Sequence, residues 1–133
     1  PEHPVDVRLC KGIYIEPPEI AFKGKEAIHA AFLENLDFML DRGFRAAIAT
    51  HHDHLAEGSL ELLARHGTDR DMYEFQFLHG VRPRLVEGIL AQGHPVRIYI
   101  PYGAEWLNYS TRRLQENPNI VGHVVKSTLF GRG

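Results

Sequence analysis

Four short apolar stretches recur along the chain, and each is followed by a longer segment with a different spacing of apolar residues. The stretches are rich in β-branched and aromatic residues, which predicts strands, and they cover residues 5–15, 45–50, 73–78 and 95–102. Each one ends in polar residues or in proline and glycine. The pattern therefore predicts strand and helix in strict alternation.

The segments between the strands have apolar residues at intervals of three and four, as one face of a helix requires. In the first segment these residues are Ala27, Ala31, Phe32, Leu36, Met39 and Leu40. The second helix is predicted over residues 54–65, before Gly67, and the third over residues 82–91. A fourth helix is predicted over residues 105–116, before Pro118, which cannot continue it.

This alternation predicts an α/β fold with a parallel sheet and right-handed crossovers. The strands are apolar at consecutive residues, as at 46–49, which is typical of strands covered on both faces. Two closures fit four such units: a small doubly wound open sheet, and one half of a (βα)8 barrel. A whole barrel usually needs roughly 250 residues. Since this chain has 133, a barrel would require a second half outside it.

Composition narrows the class of protein. With 44% hydrophobic and 24% charged residues the chain is typical of globular domains, and its apolar runs are too short to cross a bilayer. A net charge of −2 without a long basic block argues against a nucleic-acid partner. The single Cys10 cannot form an intrachain disulfide, so we expect an intracellular, reducing location. No signal-peptide pattern opens the chain. It begins at Pro1 without Met, so we expect that its N-terminus was made by cleavage or by a chosen boundary.

Polar and aromatic residues follow each predicted strand, and parallel strands end at one edge of a sheet. In both closures ligands bind at that edge. The residues there are Lys11, Gly12, Ile13 and Tyr14, then Thr50, His51, His52 and Asp53, then Leu78 and His79, and finally Tyr99, Ile100, Pro101, Tyr102 and Gly103. The sequence therefore predicts a ligand site built from four strand ends.

The last predicted helix carries a stripe of Tyr109, Arg112, Arg113 and Glu116 on one side. Two adjacent guanidiniums are suited to gripping a carboxylate from two directions. The stripe thus indicates a small anionic or zwitterionic ligand. The alternative is a solvated salt-bridge face, which is the commoner role of such residues.

Lys11 directly follows an apolar strand. A lysine buried there usually has an anionic partner, because burying the charge alone is costly, so we predict contact with an anion or a cofactor. The side chain of Cys10 should point the opposite way, and we predict that it is a small core residue.

Histidines are abundant, nine in all, and the run of His51, His52, Asp53 and His54 suggests a metal site. Apart from His79, however, no other strand end offers residues to complete the coordination. A hydrogen bond from His51 to a cofactor is the simpler hypothesis, and we predict no metal. The chain has no glycine-rich Rossmann or Walker loop, so a dinucleotide would not be held in either of those ways.

Five segments, in order, resemble the signatures of the proline dehydrogenase family. They are RLCKGIY at 8–14, ATH at 49–51, YEFQFLHG at 73–80, VRIYIPYG at 96–103 and YSTRRLQEN at 109–117. The resemblance covers nearly the whole chain, and the Pro-Tyr-Gly turn at 101–103 is similar to that of the shorter, monofunctional members. Residue 52 departs from the family pattern, since His stands where Asn is usual.

The resemblance implies a distorted (βα)8 TIM-like barrel, of which residues 1–133 would be the C-terminal half, with strands five to eight. It implies an FAD-dependent flavoprotein that oxidises L-proline to pyrroline-5-carboxylate by hydride transfer. Electrons would then pass to a quinone. An enzyme of this kind would lie in the cytoplasm, with peripheral association at the inner face of the membrane left open.

The resemblance also implies a role for each matched residue. Leu78 and Tyr99 would pack around the proline ring, and Arg112 and Arg113 would hold its carboxylate. The residues matched to FAD contacts are Lys11, Gly12, Ile13, Thr50, His51, His52 and Glu116.

The family's first four strands have no counterpart in these 133 residues. We therefore expect the chain alone to be inactive and the edges of its first and last strands to pair with the missing N-terminal half or with a second copy. The alternative hypothesis is a small α/β module that binds an amino acid without redox chemistry.

Overall fold

A computed structural model describes residues 5–12 and 16–103. Its elements are β1 (Asp6–Cys10), α1 (Lys25–Asp41), β2 (Arg45–Ala49), α2 (Asp53–His66), β3 (Tyr73–Leu78), α3 (Pro83–Ala91) and β4 (Val96–Tyr99). The predicted alternation is confirmed over these ranges, although β1 and β4 are shorter than the apolar stretches suggested. The predicted helix at 105–116 lies outside the described residues.

The four strands are parallel and are arranged in chain order, β1-β2-β3-β4. A single apolar cluster joins residues of all three helices to β2 and β3, so the helices cover the same face of the sheet. A doubly wound sheet has helices on both faces. Sequential order with one helical layer is instead the arrangement of part of a barrel, so the half-barrel prediction is confirmed and the doubly wound alternative is wrong.

Alternate strand positions supply the core, because successive side chains of a strand point to opposite faces. The fully buried strand residues under the helices are Ala46 and Ile48 of β2 and Phe75 and Phe77 of β3. The helices contribute Phe32, Leu36, Met39, Leu55, Ala56, Leu63 and Ile89. We call this side of the sheet the helix-covered face.

The prediction that both faces are covered is wrong for the described residues. The opposite side, which we call the polar face, consists of Asp6, Arg8, Cys10, Arg45, Ala47, Ala49, Glu74, Gln76, Leu78, Arg97 and Tyr99. In β2, Ala46 and Ile48 are buried, whereas Ala47 and Ala49 are only half-buried. Alanine fits either face, which is why the run at 46–49 gave no sign of the difference.

Cys10 belongs to the polar face, so its predicted place in the core is wrong. It is an exposed free thiol, and its Sγ accepts a hydrogen bond from Arg8 Nη1 at 3.0 Å. Its alternation with Lys11 was predicted correctly, but the face on which it lies was not.

The sheet curves toward the polar face. Arg8 lies on β1 and Tyr99 on β4, three strand spacings of about 4.8 Å apart in a flat sheet. Nevertheless the Arg8 guanidinium carbon lies 5.5 Å from the centre of the Tyr99 ring. The same guanidinium donates a hydrogen bond to Gln76 on β3 at 2.6 Å. Side chains of outer strands that meet across the sheet indicate a concave surface, as on the inside of a barrel.

Candidate active site at the carboxyl ends of the strands

The parallel sheet brings seven of the predicted site residues to one rim or just beneath it. They are Lys11 and Gly12 after β1, Thr50, His51 and His52 after β2, and Leu78 and Tyr99 at the ends of β3 and β4. Ile13, Arg112, Arg113 and Glu116 lie outside the described residues. Whether the arginine pair reaches this rim stays a prediction.

Lys11 and the β2 loop are joined directly. The Lys11 Nζ lies 2.9 Å from His52 Nε2, and the backbone N–H of His52 donates to Thr50 Oγ1 at 3.2 Å. Thr50 is buried, so its hydroxyl supports the loop from behind. Burial lowers the pKa of Lys11, and the Lys25 charge lowers it further. The ammonium is therefore held where an anionic partner would be favoured.

Gly12 follows Lys11 with φ at +84°, a left-handed conformation that a side chain would strain. A Cβ at this position would meet no atom within 4 Å among the described residues. The requirement for glycine here is therefore conformational.

His51 connects the β2 loop to β3. Its Nε2 accepts a hydrogen bond from the backbone N–H of Leu78 at 3.1 Å, and its ring lies edge-on to Phe77 at 5.7 Å. Burial lowers the pKa of His51 to about 4, helped by neighbouring cations. The imidazole is thus neutral near pH 7, with its proton on Nδ1, and that N–H is a donor at the rim.

Leu78 and Tyr99 are partners in the β3–β4 register, so their side chains lie on the polar face at its upper end. The backbone N–H of His79 donates to the Tyr99 carbonyl at 3.0 Å, which continues the pairing beyond the strand. The guanidinium of Arg8 stacks over the Tyr99 ring. Together they form an apolar and aromatic surface beside the polar residues of the rim.

A chain of hydrogen bonds lies beneath this surface. Arg97 grips Glu74 with two bonds of 2.6 and 2.7 Å, Gln76 donates to Glu74 at 2.6 Å, and Arg8 donates to Gln76 at 2.6 Å. The bond from Arg97 is the main reason that the pKa of Glu74 falls to about 2. Because Arg8 also contacts Tyr99, the network restrains the guanidinium that supports that ring.

Sequence reasoning missed His29, which lies in the first turns of α1 and is 7% exposed. Its ring lies edge-on to His52 at 5.3 Å and stacks on His54 at 5.8 Å. Among the described residues its Nε2 has no hydrogen-bond partner, and burying a polar atom in that state costs about 1–3 kcal/mol. Burial lowers the pKa of His29, as do the charges of Lys11, Lys25 and His54.

A signal for His29 was present in the sequence. The buried positions of α1 are His29, Phe32, Leu36 and Met39, whereas the predicted Ala27 is exposed. The buried residues of α1, spaced by three and four, thus begin at a histidine. A polar residue at the start of an otherwise apolar stripe was the sequence signal for His29. We call His29, His52, His54, Lys11 and Lys25 the cationic cluster.

The ammonium and imidazole N–H donors at this rim suit the phosphates and polar groups of the flavin dinucleotide that the resemblance implies. The Asp53 carboxylate nearby is engaged by Arg82. The buried Nε2 of His29 is a polar atom that such a ligand could satisfy.

Across residues 5–12 and 16–103, no three His, Cys, Asp or Glu side chains are placed to hold a metal ion. In the same ranges no helix has the length and apolarity needed to span a membrane.

Comparison with known proteins places these residues in a family context. The family model described as proline dehydrogenase matches residues 2–126. The chain is 32% identical to proline dehydrogenase of Deinococcus radiodurans, over 95% of this chain and 41% of the relative. It is 34% identical to proline dehydrogenase 1 of Bacillus subtilis strain 168, over 93% and 41%. With proline dehydrogenase 2 of that strain it shares 34% identity, over 90% and 40%. The chain spans about two fifths of the length of these relatives.

Proposed function

We propose that this chain, which belongs to the proline dehydrogenase family, is part of an enzyme that oxidises L-proline to pyrroline-5-carboxylate. The observation that carries the proposal is the curved sheet in chain order, whose rim joins Lys11, His51 and His52 to Leu78 and Tyr99. Residues 1–133 would form the C-terminal half of its barrel, with β1 to β4 as strands five to eight.

The substrate would bind where the apolar surface meets the polar rim. Leu78 and the Tyr99 ring would pack against the pyrrolidine ring, with Arg8 restraining Tyr99 from below. Arg112 and Arg113 would hold the carboxylate by paired hydrogen bonds. Fixing one end of a small substrate leaves its reactive carbon in a defined position, and most of the rate gain would come from that positioning.

FAD would be the hydride acceptor, and residues of this chain would form its binding site. Lys11 and His52 are placed to donate to anionic groups, and neutral His51 offers its Nδ1–H. Gly12 follows Lys11 in a left-handed conformation, and Thr50 supports the loop that carries both histidines. We assign Ile13 and Glu116 to the same cofactor through the family pattern.

We also propose a quinone as the electron acceptor, a cytoplasmic location and peripheral association with the inner face of the membrane. The quinone and the membrane contact come from the resemblance described above, and the location from the single Cys10, which fits a reducing compartment. A protein that passes electrons to a lipid-soluble quinone must approach the bilayer at least transiently. Binding of the pure protein to anionic vesicles, absent from neutral ones and lost at high salt, would support the peripheral contact.

A barrel half needs a partner. The chain covers 41% of its relatives, and β1 and β4 end the described sheet with unpaired edges. Beside β1 lies a groove of about 530 Å³, lined in part by Leu9, Phe22 and Phe32, and Phe22 is 66% exposed. We propose that the missing N-terminal half, or a second copy, pairs with these edges, and that the chain alone is inactive.

The test compares the 133-residue chain alone with the same chain mixed with an N-terminal half taken from a relative. We expect proline-dependent reduction of an artificial acceptor, and flavin absorbance in the purified protein, only in the mixture. Turnover by the chain alone at the rate of a full-length relative would overturn the inactivity. Binding of a proline analogue by a flavin-free chain would instead favour the amino-acid-binding module.

The arginine pair gives a second measurement. Arg113→Ala should weaken binding of a proline analogue by about tenfold or more, because a charge-assisted bond to the carboxylate is lost. Arg84→Ala, which removes an exposed arginine of α3, is the matched control and should leave binding unchanged. Equal affinity in both variants would contradict the assignment of Arg113.

A further inference from the structure

The cationic cluster converges from three elements. Lys11 follows β1, Lys25 and His29 lie at the start of α1, and His52 and His54 flank the first residue of α2. Ring contacts of 5.3 and 5.8 Å and the 2.9 Å bond from Lys11 to His52 join four of them. Lys25 lies one helical turn before His29, on the same side of α1, and its charge acts on Lys11, His29 and His52. Residues so far apart in the chain meet only because the sheet is parallel and both helices begin at the same rim.

Among the described residues, no carboxylate is one of the groups that shift the pKa of Lys11, His29 or His52. Burial lowers the pKa of both His29 and His52. The charges of Lys11 and Lys25 lower both pKa values further. The nearby carboxylate of Asp53 is engaged by Arg82. The Lys25 charge also lowers the pKa of Lys11, so an anion that enters the cluster would stabilise both ammonium groups.

Two helix N-termini add to this field. The N-cap residue of α1 is Gly24, which has no side chain, and the N-cap of α2 is His52, whose ring contacts Lys11 instead of capping its helix. The first-turn N–H groups of a helix carry partial positive charge and favour anions. Both helices thus begin beside the cluster. Their first turns also carry Glu26 and Asp53, and Asp53 is engaged by Arg82.

The buried Nε2 of His29 is an independent observation, because it is polar, more than nine-tenths buried and without a partner among the described residues. Both of its ring neighbours belong to the cluster. A metal ion would not suit the site, because two lysine ammonium groups would repel it. An anion with several acceptor oxygens would pair with imidazole, ammonium and backbone donors from different directions.

We propose that His29, His52, His54, Lys11 and Lys25 form a binding site for a phosphate group. The proposed function identifies the carrier as FAD, in which case His29, Lys25 and His54 extend the cofactor site from the strand ends onto α1 and α2. Free inorganic phosphate has the same chemistry, and the experiment distinguishes the two sources.

The experiment uses the 133-residue chain and follows the imidazole resonances of its histidines by NMR at neutral pH. Phosphate and pyrophosphate, each titrated at constant ionic strength, should shift His29, His52 and His54 saturably. His79, exposed at the end of β3, is the internal reference and should not move. Shifts that chloride reproduces at the same ionic strength would overturn the site.

Substitutions test the same residues without disturbing the core. Lys25→Gln and His54→Gln change exposed side chains and should each weaken phosphate binding by about fivefold or more, through loss of a charge-assisted bond. Lys23→Gln is the matched control, because Lys23 is two residues from Lys25 and donates to the Glu16 carbonyl. Equal affinities in Lys25→Gln and Lys23→Gln would refute the proposal.

Adding FAD separates this proposal from the cofactor assignment. FAD that moves the same resonances and competes with pyrophosphate supports both. Saturable phosphate binding with no effect of FAD supports the phosphate site and leaves the cofactor assignment unsupported. Flavin binding that leaves the three histidines unmoved, and that Lys25→Gln does not weaken, overturns the phosphate site alone.

Discussion

The buried side chains on the two faces of the sheet are stabilised in different ways. Under the helices, Ile48, Phe75 and Phe77 are fully buried and need only shape and apolar surface. On the polar face, Glu74 is also buried, yet it is held by Arg97, Gln76 and Arg45. One face is stabilised by burial and the other by the pairing of charges.

The comparison explains what each face is suited to. An apolar face can be covered by a helix of suitable shape, whereas a paired and concave polar face can line a cavity that admits water or a polar ligand. The rim residues Lys11, His51 and His52 stand where these two environments meet. The site therefore takes its rigidity from the first face and its polarity from the second.

The largest effect should come from breaking the helix-covered face. Phe75→Ala removes a fully buried ring and leaves a cavity, which should lower the free energy of unfolding by about 3–5 kcal/mol. Urea denaturation followed by circular dichroism measures it. Phe22→Ala is the matched control, because Phe22 is 66% exposed, and a comparable loss there would contradict the assignment of the core.

Breaking the charge pairing of the polar face should have a smaller effect. Glu74→Gln removes the charge that two arginines share and should cost about 2 kcal/mol, less than for a fully buried pair because the Arg97 side chain is 61% exposed. The exposed Glu87→Gln should change stability little. Equal urea midpoints in the two variants would mean that the pairing contributes nothing.

Glu74 should also make the stability of the chain depend on pH under acid conditions. The pKa of Glu74 is about 2 in the folded chain, against an ordinary value of 4.5. Its contribution to the free energy of unfolding is therefore complete above pH 4.5 and is lost as the pH falls toward 2. Stability measured against pH should therefore rise across this window. Glu74→Gln should flatten the rise.

His51 should give a pH dependence in a separate window. Its pKa is about 4 when folded and 6.5 ordinarily, so the unfolded chain binds the proton more readily in between. Its contribution to the free energy of unfolding is complete above pH 6.5 and should fall by about 3 kcal/mol as the pH decreases to about 4. His51→Gln should remove this slope in urea titrations, and a slope that persists would assign it to another group.

The smallest effect is expected at the exposed margin of the polar face. Asp6 pairs with Arg45 at 3.3 Å, but its side chain is 73% exposed. Asp6→Asn should cost less than about 0.5 kcal/mol, because exposed pairs are screened by solvent. The matched comparison is Glu74→Gln, which acts on the same arginine from a buried position. Thermal denaturation at low and high salt would show whether burial decides the difference.

Much of the fold was visible in the sequence. β3 occupies the predicted residues 73–78, and α2 ends before Gly67, whose φ of +58° is the left-handed conformation expected there. These features are local, because they depend on side-chain period and on backbone preferences of single residues. The membership of Lys11, Thr50, His51, Leu78 and Tyr99 in one rim was also predictable, from the rule that parallel strands end together.

The faces and the contacts were not predictable in the same way. The alanines at 46–49 fit a core or a polar face equally well, and Cys10 was assigned to the wrong one. His29 was missed because its importance comes from His52 and His54, which are more than twenty residues away in the chain.

By itself the sequence determined the alternation of elements, the family and the residues at the strand ends, because each of these is encoded in short stretches of chain. Only the tertiary structure decided which face of the sheet is polar, that the sheet is curved, and that five basic side chains meet at two helix starts. The physical reason is that burial and electrostatic interaction depend on distance in space, which closure of the parallel sheet sets.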